Sequence, residues 1–135
     1  MDVGTCLGQR TMLRGKRVLI VEDEAIVAML VEDGLLDAGA KVIGPAASLD
    51  EALQLIEVAA SDGGLHGAIL DLNLNGEFVL PVADKLAAMG VPFLFATGYG
   101  EDGNRGDHAA KPMLHKPFDL EKLIGAVEAL TSSSG

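Results

Sequence analysis

Five polar side chains each close an apolar run in this sequence. Glu22 and Asp23 follow "RVLIV", Asp71 follows "GAIL", Thr97 follows "FLFA" and Lys116 follows "MLH". Three carboxylates, one hydroxyl and one ammonium form a set with a specific use. Clustered carboxylates repel one another at neutral pH, so either one takes up a proton or a cation settles between them. Oxygen ligands with room for water suit Mg²⁺. A carboxylate beside such an ion can attack a phosphoryl group as nucleophile and become an aspartyl phosphate. A lysine and a hydroxyl then hold the equatorial oxygens.

That chemistry requires the five residues to meet, and the pattern of the chain supplies the means. "KRVLIVEDE", "KVIGPAA" (Lys41–Ala47), "GAILDL" (Gly67–Leu72), "VPFLFAT" (Val91–Thr97) and "PMLHKPF" (Pro112–Phe118) are short apolar runs with little polar alternation. Such runs read as strands covered on both faces, as in parallel sheets. Between them lie segments of helical spacing. One covers Ala25–Ala38, with Ile26, Met29, Leu30, Leu35 and Leu36 as its apolar stripe and Gly39 as its stop. The next covers Leu49–Ala59, started by Ser48 and Asp50, with Leu53, Ile56 and Ala60 similarly placed. A third is expected over Phe78–Met89, with Pro81 in its first turn, and a last from Asp119 as N-cap to Leu130.

The fourth strand–helix unit is irregular: "GYGEDGNRGDHAAK" has four glycines and almost no apolar stripe, which predicts a loop or one short helix. Five alternating units with short connections imply right-handed crossovers and an α/β fold, a doubly wound five-stranded parallel sheet. In such sheets ligands gather at the carboxyl ends of the strands. Glu22, Asp23, Asp71, Thr97 and Lys116 are therefore expected along one edge. Asp71, ending the central strand, is the expected nucleophile, because the polar stretch "LNLNGE" should leave it reachable. Glu22 and Asp23 are the expected metal ligands. Lys116 precedes Pro117, whose ring restricts the backbone from which the amine reaches back.

Composition narrows the alternatives. The chain has 135 residues, 49% of them hydrophobic and 4% aromatic, which suits one domain with an aliphatic core. Residues 15–131 read as the folded unit, with 1–14 and 132–135 as tails. Lys and Arg number 10 against 20 Asp and Glu, and a formal charge of −10 opposes contact with DNA or anionic lipid. Cys6 is the single cysteine and no His/Cys group has zinc spacing. No apolar run is long enough for a membrane span or a signal peptide, so a cytoplasmic location is expected. Met29, Met89 and Met113 read as core fillers, and His108 and His115 lack a pattern suggesting catalysis or metal binding.

"VEDE" after the first strand, "ILDLNLNGE" at the third, "FATG" at the fourth and "HKPF" at the fifth resemble the receiver domain of two-component response regulators over Lys16–Leu130. The resemblance implies the flavodoxin-like (βα)5 receiver fold. It also implies that Asp71 accepts a phosphoryl group from a histidine kinase or histidine phosphotransfer protein, and that Glu22, Asp23 and Asp71 bind Mg²⁺ with the Asn73 backbone carbonyl. Thr97 and Lys116 would contact the phosphoryl group. "FATGYG" is similar to the signature of the FAT GUY regulators, which implies kinases of the HWE type and a role in stress signalling. Where most receivers have an aromatic switch residue three before the lysine, this chain has Met113; the Gly98–Gly106 loop is the candidate moving part, with Tyr99 either its aromatic reporter or a residue that packs on the surface. With no output domain expected after the last helix, signalling would pass through a downstream protein partner, with the surface around Met113, Leu114 and the last helix as the candidate face. The alternative is an Mg²⁺-dependent phosphohydrolase with an aspartyl nucleophile. Such enzymes place a second acid two residues after the nucleophile, where this chain has Asn73, which cannot donate the proton.

Overall fold

A computed structural model describes residues 13–74, 76–97, 111–115 and 119–132. The elements run β1 (Arg17–Val21), α1 (Ala25–Asp37), β2 (Lys41–Ala46), α2 (Leu49–Ala60), β3 (Gly67–Asp71), a hairpin of β4 (Asn73–Leu74) and β5 (Glu77–Phe78), α3 (Leu80–Ala88), β6 (Phe93–Thr97), β7 (Met113–His115) and α4 (Leu120–Ser132). Five strands form one parallel sheet in the order β2-β1-β3-β6-β7. Chain order reverses between β1 and β3, which makes that crevice the switch point of the sheet.

The unbroken apolar runs follow from burial on both faces. Leu19, Val21, Ala68, Leu70, Phe93 and Phe95 point to one side, where they pack with Ala52 and Ile56 of α2 and Val82, Ala83 and Leu86 of α3. Val18, Ile20, Ile69 and Leu94 point to the other, against Val31 and Leu35 of α1 and Leu123 and Val127 of α4. Every second residue thus serves a different core, so neither face can be polar. Leu13 is already part of the second core, and its N–H donates to the Ala38 carbonyl.

Helix ends follow local chemistry. Ser48 Oγ accepts from the Glu51 N–H at 3.1 Å, while Glu51 Oε1 accepts from the Ala47 N–H at 2.9 Å. This is a variant of the capping box around the start of α2, with the return bond going to the residue before the N-cap Ser48. Asp119 Oδ1 accepts from the Glu121 N–H at 2.8 Å, as expected of the residue before α4. Gly39 takes φ +96° just past α1, a region costly for any side chain.

Two expectations about helices are corrected. The third helix starts at Leu80 rather than Phe78, because Phe78 pairs with Asn73 across the β4–β5 hairpin. The buried face of α1 is Ala28, Val31 and Leu35, whereas Ile26, Met29 and Leu30 are 73%, 59% and 54% exposed and Leu36 also faces outward. The helix is apolar nearly all round, so packing chose the face. Met29 and Met89 are consequently surface residues, while Met113 packs against the first core. The glycine-rich stretch after Thr97 falls largely outside the described residues, at 98–110.

Gly125 lies inside α4 with open space where a Cβ would stand. Gly125→Ala should therefore raise stability by about 0.5–1 kcal/mol, since alanine costs the unfolded chain freedom and adds no clash. Urea unfolding would show this as a higher midpoint at unchanged slope.

Candidate functional site

Parallel pairing aligns the strand ends. Val21 lies beside Leu70 and Asp71 beside Ala96, while Thr97 lies beside His115. The residues that follow these positions are thus presented along one edge, with Glu22 and Asp23 leaving β1 next to the end of β3. One carboxylate oxygen from each of Glu22, Asp23 and Asp71 falls within 4.8 Å of the others. Among the described residues this is the group of acids able to hold a metal ion, and it sits at the switch point between β1 and β3.

The three acids differ in exposure. Glu22 is 6% and Asp71 5% exposed, while Asp23 is half-buried. The stretch after Asp71 differs from the open polar loop expected there. Leu72 and Leu74 turn into the first core, and Asn73–Phe78 folds back as the hairpin about Gly76 at φ +89°. Alternation along the extended chain drives this, since it brings both leucines to the inward side. The Leu72 N–H donates to the Ala96 carbonyl at 2.9 Å, which continues the sheet one step past Asp71 and fixes the acid's backbone.

Glu22 is held at two points. Its N–H donates to the Ala46 carbonyl at 2.8 Å, and its Oε2 accepts from the Glu24 N–H at 3.1 Å. A buried carboxylate with such partners has a set direction. Three acids of this kind offer hard oxygen atoms from two adjacent strand ends, a donor set that fits Mg²⁺. Of the other expected site residues, Asn73 opens β4 and Thr97 ends β6, both placed by backbone, while Lys116 and Tyr99 lie outside the described residues.

Sequence reasoning missed one contributor: the end of β2, which holds the Glu22 backbone. The signal was "GPAAS", where a glycine interrupts a strand and so marks a bulge or a close approach.

No protein-family model matches the chain. The solution structure of SdrG from Sphingomonas melonis Fr1 is similar at 40% identity and a TM-score of 0.74, covering 88% of this chain and 97% of that one. The BeF3-activated conformation of SdrG, from Pseudomonas melonis Fr1, gives 40% identity and a TM-score of 0.69 over 85% and 95%. A response regulator receiver protein from Burkholderia phymatum is similar at 28% identity and a TM-score of 0.74, over 87% and 95%. Among curated proteins, the transcriptional regulatory protein PdtaR of Mycobacterium tuberculosis is 29% identical over 121 residues, 87% of this chain. The chain spans 57% of the length of that relative. No helix among the described residues is long and apolar enough to cross a membrane.

Proposed function

Because the chain belongs to the receiver domains of response regulators, we propose that it accepts a phosphoryl group on Asp71 and signals through phosphorylation-dependent contact with other proteins. The carrying observation is the meeting of Glu22, Asp23 and Asp71 within 4.8 Å at the switch point of the sheet. In this reading Glu22, Asp23, Asp71 and the Asn73 carbonyl hold Mg²⁺. When bound, the ion offsets the charge of the acids and of the incoming phosphoryl oxygens.

The transfer is a displacement at phosphorus. As a carboxylate oxygen of Asp71 forms its bond, the bond from phosphorus to the donor's leaving atom breaks and the electron pair departs with the donor. Water later attacks the phosphorus, giving inorganic phosphate and the free carboxylate. Thr97, the last residue of β6, and Lys116, within the "HKPF" motif, are read as the groups that contact the phosphoryl oxygens. The physiological donor is read as a histidine kinase or histidine phosphotransfer protein; the "FATGYG" motif favours the FAT GUY type with HWE kinases. The net charge of −10 supports a protein-binding role over direct contact with DNA.

Incubation with acetyl phosphate and Mg²⁺, followed by intact-mass measurement, tests this. The expected result is a gain of one phosphoryl group that is lost in base and on treatment with hydroxylamine, as an acyl phosphate is, and a much lower yield when Mg²⁺ is chelated. Sustained multiple turnover of a phosphomonoester would instead identify a hydrolase, the reading that Asn73 disfavours.

A further inference from the structure

The end of β2 carries an irregularity beside the acidic site. β1 and β2 run in register from Arg17 beside Lys41 to Leu19 beside Ile43, and then Val21 lies beside Ala46. Two steps along β1 are matched by three along β2, so Gly44–Ala46 contains one extra residue, a bulge. Gly44 sits at φ +100°, where side chains are rarely tolerated. A Cβ there would lie 2.9 Å from the Ile20 carbonyl oxygen and 2.9 Å from the Ala46 nitrogen. Both are backbone atoms, so neither can rotate away.

Those two atoms belong to the units that place Glu22. The Ile20 carbonyl lies in β1 two residues before Glu22, and Ala46 is the residue whose carbonyl accepts the Glu22 N–H. Beyond Ala46 the chain is fixed at once by the capping box, through the Ala47 N–H to Glu51 and the Glu51 N–H to Ser48. The bulge thus joins the start of α2 to the backbone of Glu22. With its N–H fixed by Ala46 and its Oε2 fixed by the Glu24 N–H, Glu22 keeps one direction within the acidic cluster.

We infer that Gly44 is a positioning residue for the cation site: the bulge it permits sets the carboxylate of Glu22 against those of Asp23 and Asp71. This rests on the reading of that cluster as an Mg²⁺ site. In Gly44→Ala either β1 or the Ala46 peptide must shift, and the shift falls on the Glu22 backbone. Misplacing one oxygen donor weakens a cation site whose other donors are unchanged.

The test uses the full chain and compares Gly44→Ala with Gly63→Ala. Gly63 also has a left-handed φ, +103°, but it lies before β3 at the opposite end of the sheet, where a Cβ would meet only the Arg17 side chain at 3.5 Å. Each variant is checked for a folded far-ultraviolet spectrum. Mg²⁺ affinity is then measured by calorimetry without any phosphoryl donor, and exchange of the Glu22 amide is followed by NMR. Gly44→Ala should bind Mg²⁺ at least about fivefold more weakly than the native chain and lose protection at the Glu22 amide, whereas Gly63→Ala keeps native affinity and protection. If Gly44→Ala does not fold, Ala46→Gly, which loosens the acceptor peptide without adding an atom, should still lower both readouts. Native affinity in a folded Gly44→Ala, or in Ala46→Gly where that variant stands in for it, would overturn the inference alone, as would an equal loss in Gly63→Ala. A native chain that binds no Mg²⁺ would overturn the reading of the site and this inference with it.

Discussion

Asp71→Asn should take up no phosphoryl group from acetyl phosphate under conditions where the native chain takes up one. The amide has nearly the shape of the carboxylate, so the end of β3 and its pairing with β6 are retained. What changes is the reacting atom. A carboxylate oxygen carries negative charge and a lone pair available to phosphorus; an amide oxygen is neutral and its pair is drawn into the C–N bond. Glu22, the other deeply buried acid of the cluster, is directed elsewhere by the Glu24 N–H. The fold should tolerate the change well. Two unit charges at the 4.8 Å limit of the cluster interact by about 3 kcal/mol at an effective dielectric constant near 20, so removing one charge relieves repulsion when no cation is present. Intact mass and a far-ultraviolet spectrum on the same sample decide the matter. A folded Asp71→Asn that gains the same mass as the native chain would place the acceptor elsewhere.

The largest loss of stability is expected at Phe93. Its ring is fully buried in the first core, lies edge-on to Phe95 with centroids 5.5 Å apart, and has the Lys111 ammonium 5.1 Å from its centre. Phe93→Ala removes the ring from between the sheet and the helices on that side, leaving a cavity that fixed strands cannot close. Losses of about 3–5 kcal/mol are usual for such truncations, and the aromatic and cation contacts are lost as well. Against a domain stability of about 5–15 kcal/mol this is a large share of the total. Urea titration should show the midpoint falling steeply, with Phe93→Leu intermediate. A cost below about 1 kcal/mol would contradict the packing of β6 described above.

These two residues illustrate different degrees of legibility. Asp71 could be assigned from the chain alone, because an apolar run ending in an acid must deliver that acid to a sheet edge once the strands are parallel. The same logic placed Glu22 and Asp23, and pairing then brought all three within reach of one ion. The Asp119 cap was legible for a similarly local reason, since an acid before a helical stripe bonds the backbone of its own first turn. Phe93 was recognisable as core but not as the ring beneath Lys111, because that contact joins two separate strand–helix units.

Where local pattern was ambiguous, the tertiary structure decided. The α1 sequence offers two apolar faces, Ile26, Met29 and Leu30 on one and Ala28, Val31 and Leu35 on the other; docking against the sheet and α4 buried the second. Phe78 satisfied a helical stripe, yet it lies opposite Asn73, five residues back across a hairpin. The acids of the proposed site were thus legible in the sequence itself, since residue type and position at the end of an apolar run are local properties. Their exact setting was decided only by the fold, because the Ala46 carbonyl that holds Glu22 comes from a neighbouring strand whose register depends on one extra residue at Gly44.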